Sequence, residues 1–212
     1  MNNIRLTVFD IFSYLIPGLS YLLLIPYALD FGSCPELFYV LRHLSTFSLL
    51  AIAVIAYMTG FVSDAIAEAF ISRITDKVLG DLKTRVLTNF NTDNPRDALP
   101  EYHFASIYSY ADVYVPRARD KADQMSAMKG LASNLSLSFM SFALAAGIYS
   151  LTSVSQMHLL KTIIEIIAAL IISAILMYRA DTFKRWSHTH LLNAYVRRNR
   201  LRPQTNLPRP EQ

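Results

Sequence analysis

Apolar residues gather into four long blocks along the chain, separated by charged segments. The first, residues 11–29, runs without a charge between Asp10 and Asp30. The second covers residues 44–63, between Arg42-His43 and Asp64, and the third covers residues 131–151. The fourth, residues 162–178, contains Glu165 and is closed by Lys161 and Arg179. A helix needs about 20 apolar residues to cross the ~30 Å of bilayer hydrocarbon, so each block predicts a transmembrane helix. Pro17, Gly18 and Pro26 predict a kink in the first span, whose freed carbonyls neighbouring helices can satisfy.

Helical periodicity continues beyond the second block. Ile66, Phe70, Ile74 and Val78 recur every four residues and predict one packed face of a helix reaching Leu79, with Gly80 at its C-terminal cap. Pro116 predicts the first turn of a helix that enters the third span, with Ala118, Ala122, Met125, Met128 and Ala132 on one face. Residues 44–79 and 116–151 would each be about 54 Å long at 1.5 Å per residue, so they can pair as an antiparallel stalk. Residues 81–115 would cap it, with a helix over 81–90, a turn at 91–95 and a helix over 101–114. Phe104, Tyr108, Ala111 and Val115 share one stripe of that last helix. The expected fold is all-α: a four-transmembrane-helix bundle with two helices extended into a cytoplasmic stalk and a small helical cap. The segments are a first hairpin (1–63), stalk and cap (64–130), a second hairpin (131–180) and a basic tail (181–212).

Charge orients these spans. Of the 20 Lys and Arg, nine lie between the second and third blocks and eight follow the fourth, whereas the other two connections carry only Arg42 and Lys161. Basic residues accumulate on the cytoplasmic side, so both ends and the central segment are expected there. The net charge of +4 and pI near 9.2 fit that orientation signal better than a nucleic-acid-binding surface, and no direct nucleic-acid contact is expected. A 53% hydrophobic fraction, 17% charged residues and a mean hydropathy of +0.29 agree with a membrane bundle. The single cysteine, Cys34, excludes a disulfide or a thiolate metal site within one chain. Phe31-Gly32-Ser33 before it is a poor match to a lipoprotein box, and the first block is too long for a cleaved leader.

Candidate chemistry is sparse. Ionisable residues inside a membrane are functional candidates, and Glu165 is the clear one; Lys161, four residues earlier, can pair with it. Asp10, near Arg5, reads as an interfacial anchor. His188 and His190 point to different helix faces, and His158 has no second ligand near it in sequence. Phosphate loops, zinc motifs and nucleophile elbows are missing, so neither catalysis, a cofactor nor a metal is expected. Tyr102, Tyr108, Tyr110 and Tyr114 make the cap aromatic, which suits either a small core beneath it or a partner surface. The tail opens on an interfacial belt, Phe183-Lys184-Arg185-Trp186, and Leu191, Leu192 and Tyr195 suggest that an amphipathic helix continues. Arg197, Arg198, Arg200 and Arg202 then offer contact with anionic lipid or an acidic partner, and the proline-rich end is expected to be disordered. Small residues four apart (Ala56/Gly60, Ala143/Gly147, Ala169/Ser173) permit close helix approach, within one bundle or between copies. A homo-oligomer is expected, because four spans bury little alone.

Phe9-Asp10-Ile11-Phe12-Ser13-Tyr14-Leu15-Ile16-Pro17-Gly18 resembles the opening of many small bacterial membrane proteins of unassigned role, some of which sit beside antiphage defence genes. The four-span layout with a cytoplasmic middle is similar to the membrane subunits of Kiwa-type defence systems. That resemblance implies a multi-pass, multimeric inner-membrane scaffold that senses membrane disturbance and recruits a cytoplasmic partner. It carries no functional residue across. A signal-gated pore with Glu165 and the small-residue faces lining it is the alternative.

Overall fold

A computed structural model describes residues 8–29, 45–99, 103–152 and 159–201. Cys34, Arg42, Tyr102, His158, Arg202 and the proline-rich end therefore lie outside the described residues. So do the side chains of Asp10 and Arg200, which fall within helices. Among the described residues there is no strand, and six α-helices account for nearly all of them. They are α1 (Val8–Leu29), α2 (Thr46–Leu79), α3 (Leu82–Asp93), α4 (Phe104–Tyr114), α5 (Pro116–Thr152) and α6 (Leu159–Leu201). A single 3-10 turn, Pro95–Asp97, follows α3. Four of the helices (α1, α2, α5 and α6) are long and apolar enough to cross a membrane. The chain divides into two compact units, one of residues 1–78 and 127–183, the other of residues 79–126 and 184–212.

The first unit is built on small and polar contacts. Gly18 of α1 meets the Ala56 carbonyl of α2, and Gly60 of α2 meets the Tyr14 carbonyl of α1, so closely that a Cβ at either glycine would overlap backbone. Positions 14 and 18 thus face 60 and 56: two antiparallel helices in register at their smallest residues. Approach at this distance allows Cα–H···O contacts, which recur at such crossings. Tyr14 packs its ring edge-on to Tyr57 and Phe61, at 5.5 and 5.6 Å. Further along, Ala28, Phe142, Ala143, Ala146 and Ala169 form the apolar core, with Tyr27 stacked on Phe142 at 6.0 Å. Ser136 and Ser173 join α5 to α6 reciprocally: each hydroxyl donates to the other's carbonyl at 2.9 Å. The small-residue pairs therefore serve packing within the chain, except that Gly147 has open space beside it.

Across the surface and interior of this unit the pattern is the reverse of a water-soluble domain. Phe47, Leu50, Val54, Met58, Leu144 and Leu160 are exposed, whereas Ser13, Ser63, Ser133, Asn134, Ser136 and Ser138 are buried. Large apolar side chains turned outward and small polar ones turned inward suit a hydrocarbon solvent. The architecture is that of a multi-pass membrane protein.

Two expectations need correction. The packed face of α2 beyond residue 63 was expected at Ile66, Phe70, Ile74 and Val78. The buried row is instead Ser63, Ala67, Ile71 and Thr75, and Ile66, Phe70 and Val78 are exposed. Hydrophobicity marked the wrong row because close packing in this unit selects small side chains over large ones. The turn expected at 91–95 is also displaced. α3 runs on to Asp93, and Asn91 in its last turn clamps the Leu99 backbone, donating to its carbonyl and accepting from its N–H at 2.8 Å each.

The second unit has an ordinary apolar core. Val86 and Phe90 of α3, Ile107 and Ala111 of α4, Ala118 and Ala122 of α5, and Leu191 and Leu192 of α6 meet in it. α3 starts where the Asp81 carboxylate accepts from the Thr84 N–H at 2.8 Å and the Thr84 hydroxyl at 2.9 Å, an N-cap. These bonds hold Asp81 below the usual carboxylate range. Gly80, just past α2, sits at φ +83°, the left-handed geometry of a helix C-terminus that only glycine adopts freely. Pro116 opens α5, where its missing N–H costs nothing.

Candidate functional site

In the first unit three polar clusters lie among apolar spans. Asn134, fully buried on α5, donates from Nδ2 to the Asp64 carboxylate of α2 at 3.1 Å and to the Ser13 carbonyl of α1 at 3.5 Å. One amide therefore ties three helices together. One turn away, Lys129 Nζ pairs with Glu68 at 3.0 Å, with the lysine mostly buried and the glutamate exposed. A buried polar group needs its partner, and these partners lie where α2 and α5 leave their apolar blocks.

The second cluster holds Glu165. Its Oε1 accepts from the Tyr27 hydroxyl at 3.1 Å and faces Lys161 Nζ at 3.7 Å. Spacing pointed to Lys161; Tyr27, 138 residues away, gave no signal beyond being a tyrosine at a span end. The third cluster joins the Tyr21 hydroxyl to the Ser141 and Ser63 side chains. All three are tethers between helices. Among the described residues no group of three His, Cys, Asp or Glu side chains is placed to hold a metal ion.

The tyrosines of the second unit separate into different roles. Tyr108 is half-buried, its hydroxyl bonds to Asp123, and the Arg119 guanidinium lies 5.2 Å from its ring centroid. Arg119 in turn bridges Asp112 and Asp123. Burial and the adjacent Asp123 carboxylate push the Tyr108 phenol up. Tyr110 packs against Tyr114 at 4.8 Å and, edge-on, against Tyr195 of α6 at 5.0 Å. Tyr114 is exposed beside Val113, which is 70% exposed. Arg197 and Arg198 are exposed on the last described turns of α6. Phe104 stacks on His188 at 3.8 Å and 13°, and Ser187 Oγ donates to the Ala122 carbonyl at 3.3 Å. Burial, with the Lys184 ammonium nearby, pulls the His188 imidazole down to about 4. His190 is lowered too, by burial and by Lys121.

What the arrangement offers is a compact helical head carrying an aromatic edge (Tyr110, Tyr114, Val113) and an exposed basic helix end. Sequence reasoning placed Tyr108, Tyr110 and Tyr114 in one group. The structure puts Tyr108 in a charged network and leaves Tyr114 outermost. Sequence reasoning missed Asp64 and Asn134; the run Ser133-Asn134-Leu135-Ser136 inside an apolar block was the available signal. No protein-family model matches the chain, and neither curated proteins nor solved structures gave a match.

Proposed function

We propose that the chain is a non-enzymatic, oligomeric subunit of a bacterial inner-membrane complex whose helical head docks a cytoplasmic protein. The observation that carries this reading is the head itself. It has its own core, and its exposed features are an aromatic edge and a basic helix end, a combination suited to an acidic, partly apolar protein surface. The polar clusters among the spans support a structural bundle, since each carboxylate there is tied to a neighbouring helix or side chain. Glu165, engaged by Tyr27 and Lys161, favours that role over the lining of a pore. Lys and Arg counts support cytoplasmic ends and a cytoplasmic head. Antiphage defence is the proposed setting, on the strength of residues 9–18 and the four-span layout, with membrane disturbance as the trigger.

The test is co-expression of the full chain with the products of neighbouring genes, followed by purification in detergent. An oligomer retaining one such cytoplasmic protein is expected. Tyr114→Ala combined with Arg197→Ala and Arg198→Ala should release the protein while the oligomer persists. A lone monomer, or an oligomer that retains none of these proteins, overturns the reading.

A further inference from the structure

In the first unit a groove of about 510 Å³ runs beside α2, closed on its other flanks by α1 and α5. Met58, Val62 and Ile66 of α2 and Leu137 of α5 form its apolar walls. Tyr21, Thr59, Ser63 and Ser141 supply hydroxyls. From residue 58 to residue 66 the groove follows about 12 Å of helix at ~1.5 Å per residue. Met58, Val62 and Ile66 are each more than half exposed, so the groove opens sideways, along the face that α2 turns outward.

The hydroxyls make no demand for a polar guest. Thr59 Oγ1 donates to the Ile55 carbonyl at 2.8 Å, Ser63 Oγ donates to the Gly60 carbonyl at 2.8 Å, and the Tyr21 hydroxyl lies near the Ser141 and Ser63 side chains. None of the lining residues is a carboxylate, an amine or a guanidinium. With the Thr59 and Ser63 donors used inside α2 and no charged group in the lining, the surface is mainly an apolar one. An apolar-walled recess takes up hydrocarbon in preference to water, and this one is open along one side to whatever surrounds the helices. In a bilayer the available hydrocarbon is the acyl chain of a lipid. The charged residues Asp64, Glu68 and Lys129 stand at the Ile66 end, where a headgroup would lie at the membrane surface.

We infer that this groove is a binding site for one acyl chain of a membrane phospholipid, which enters sideways with its headgroup at the Asp64–Lys129 end. The inference rests on the membrane-crossing reading of the four apolar helices and is independent of any partner on the head.

Photolabelling tests it. The full chain is placed in nanodiscs of phosphatidylethanolamine and phosphatidylglycerol doped with a phosphatidylcholine that carries a mid-chain diazirine, and labelled peptides are mapped. Labelling should concentrate on residues 58–66 of α2 and around Leu137, above the level at the exposed face of α6 around Ile171. Val62→Trp, at a position too exposed to disturb the core, should reduce groove labelling to the α6 level, as should Thr59→Phe. Ile171→Trp should leave it unchanged. Groove labelling no stronger than at α6, or labelling indifferent to both groove variants, overturns the proposal while leaving the membrane reading in place. Disulfide trapping of two copies through Met58→Cys in a Cys34→Ser chain would overturn it as well, because a second chain would then cover the groove. Absence of labelling anywhere on the four helices would remove the membrane-crossing reading and the groove with it.

Discussion

Gly18 and Gly60 hold α1 and α2 at backbone contact, and there a single methyl group decides whether the two helices can meet. Gly60→Ala must displace the Tyr14 carbonyl, a rigid neighbour. Overpacking of this kind costs about 1–3 kcal/mol, and denaturant titration of the purified chain should show the loss. Gly147→Ala, inside α5 with open space at that position, should cost nothing and gain up to about 1 kcal/mol in the same titration. His188 gives a pH-dependent counterpart. Its imidazole is stacked on Phe104 and pulled down to about 4, so the unfolded chain binds the proton more readily. The stabilisation is complete above the unfolded value near 6.5 and is lost as pH falls from there through about 4. Protection factors of the α4 amides, which allow for the intrinsic slowing of exchange in acid, should therefore fall on acidification through that window, and His188→Phe should flatten the dependence. At this scale the sequence was legible where partners are local. Lys161 is four residues from Glu165, but Asn134 is 70 residues from Asp64, a pairing that no periodicity encodes.

The helix boundaries of α2 and α5 were legible because their punctuation is chemical. Gly80 at positive φ and Pro116 at the first turn mark ends that any reading of backbone chemistry would find. No atom lies within 4 Å of where a Cβ would sit on Gly80. The cost of Gly80→Ala is thus conformational, about 1–2 kcal/mol for the left-handed geometry. Gly80→Asn, which tolerates that region, should recover part of it in thermal unfolding of the head. The face that each helix buries was harder to read. In water the large apolar stripe would have been the packed one. In this unit Ala67 and Thr75 are inside and Ile66 and Phe70 outside, an inversion that depends on the solvent surrounding the helix. On α5 the expected face is buried only at its alanines, Ala118, Ala122 and Ala132, which are both apolar and small; Met125 is partly buried and Met128 is exposed.

For the whole molecule, four apolar helices and an all-helical fold followed from block length alone, whereas the packing partners of the end of α6 did not. α6 runs 43 residues; an amphipathic continuation through Leu191, Leu192 and Tyr195 was legible, but not that both leucines are fully buried in the head core. A contact formed more than 60 residues after the other core elements leaves no local trace. Leu191→Ala should destabilise the head by about 2–5 kcal/mol, the range for emptying a buried leucine site, with protease sensitivity appearing first between α3 and α4. Orientation is open to direct measurement. In a Cys34→Ser chain, Ser45→Cys should react with an impermeant maleimide in intact cells and Ser109→Cys, on the exposed side of α4, should not. The reverse pattern would invert the proposed topology.

The late arrival of Leu191 and Leu192 also bears on how the protein is made. α3, α4 and the start of α5 emerge from the ribosome with a core they cannot close, and the missing leucines come only after the last apolar block has been synthesised. Closure of the head core is thus a late event in synthesis. The head reaches its finished form, and whatever surface it presents, only in chains that have already produced all four spans.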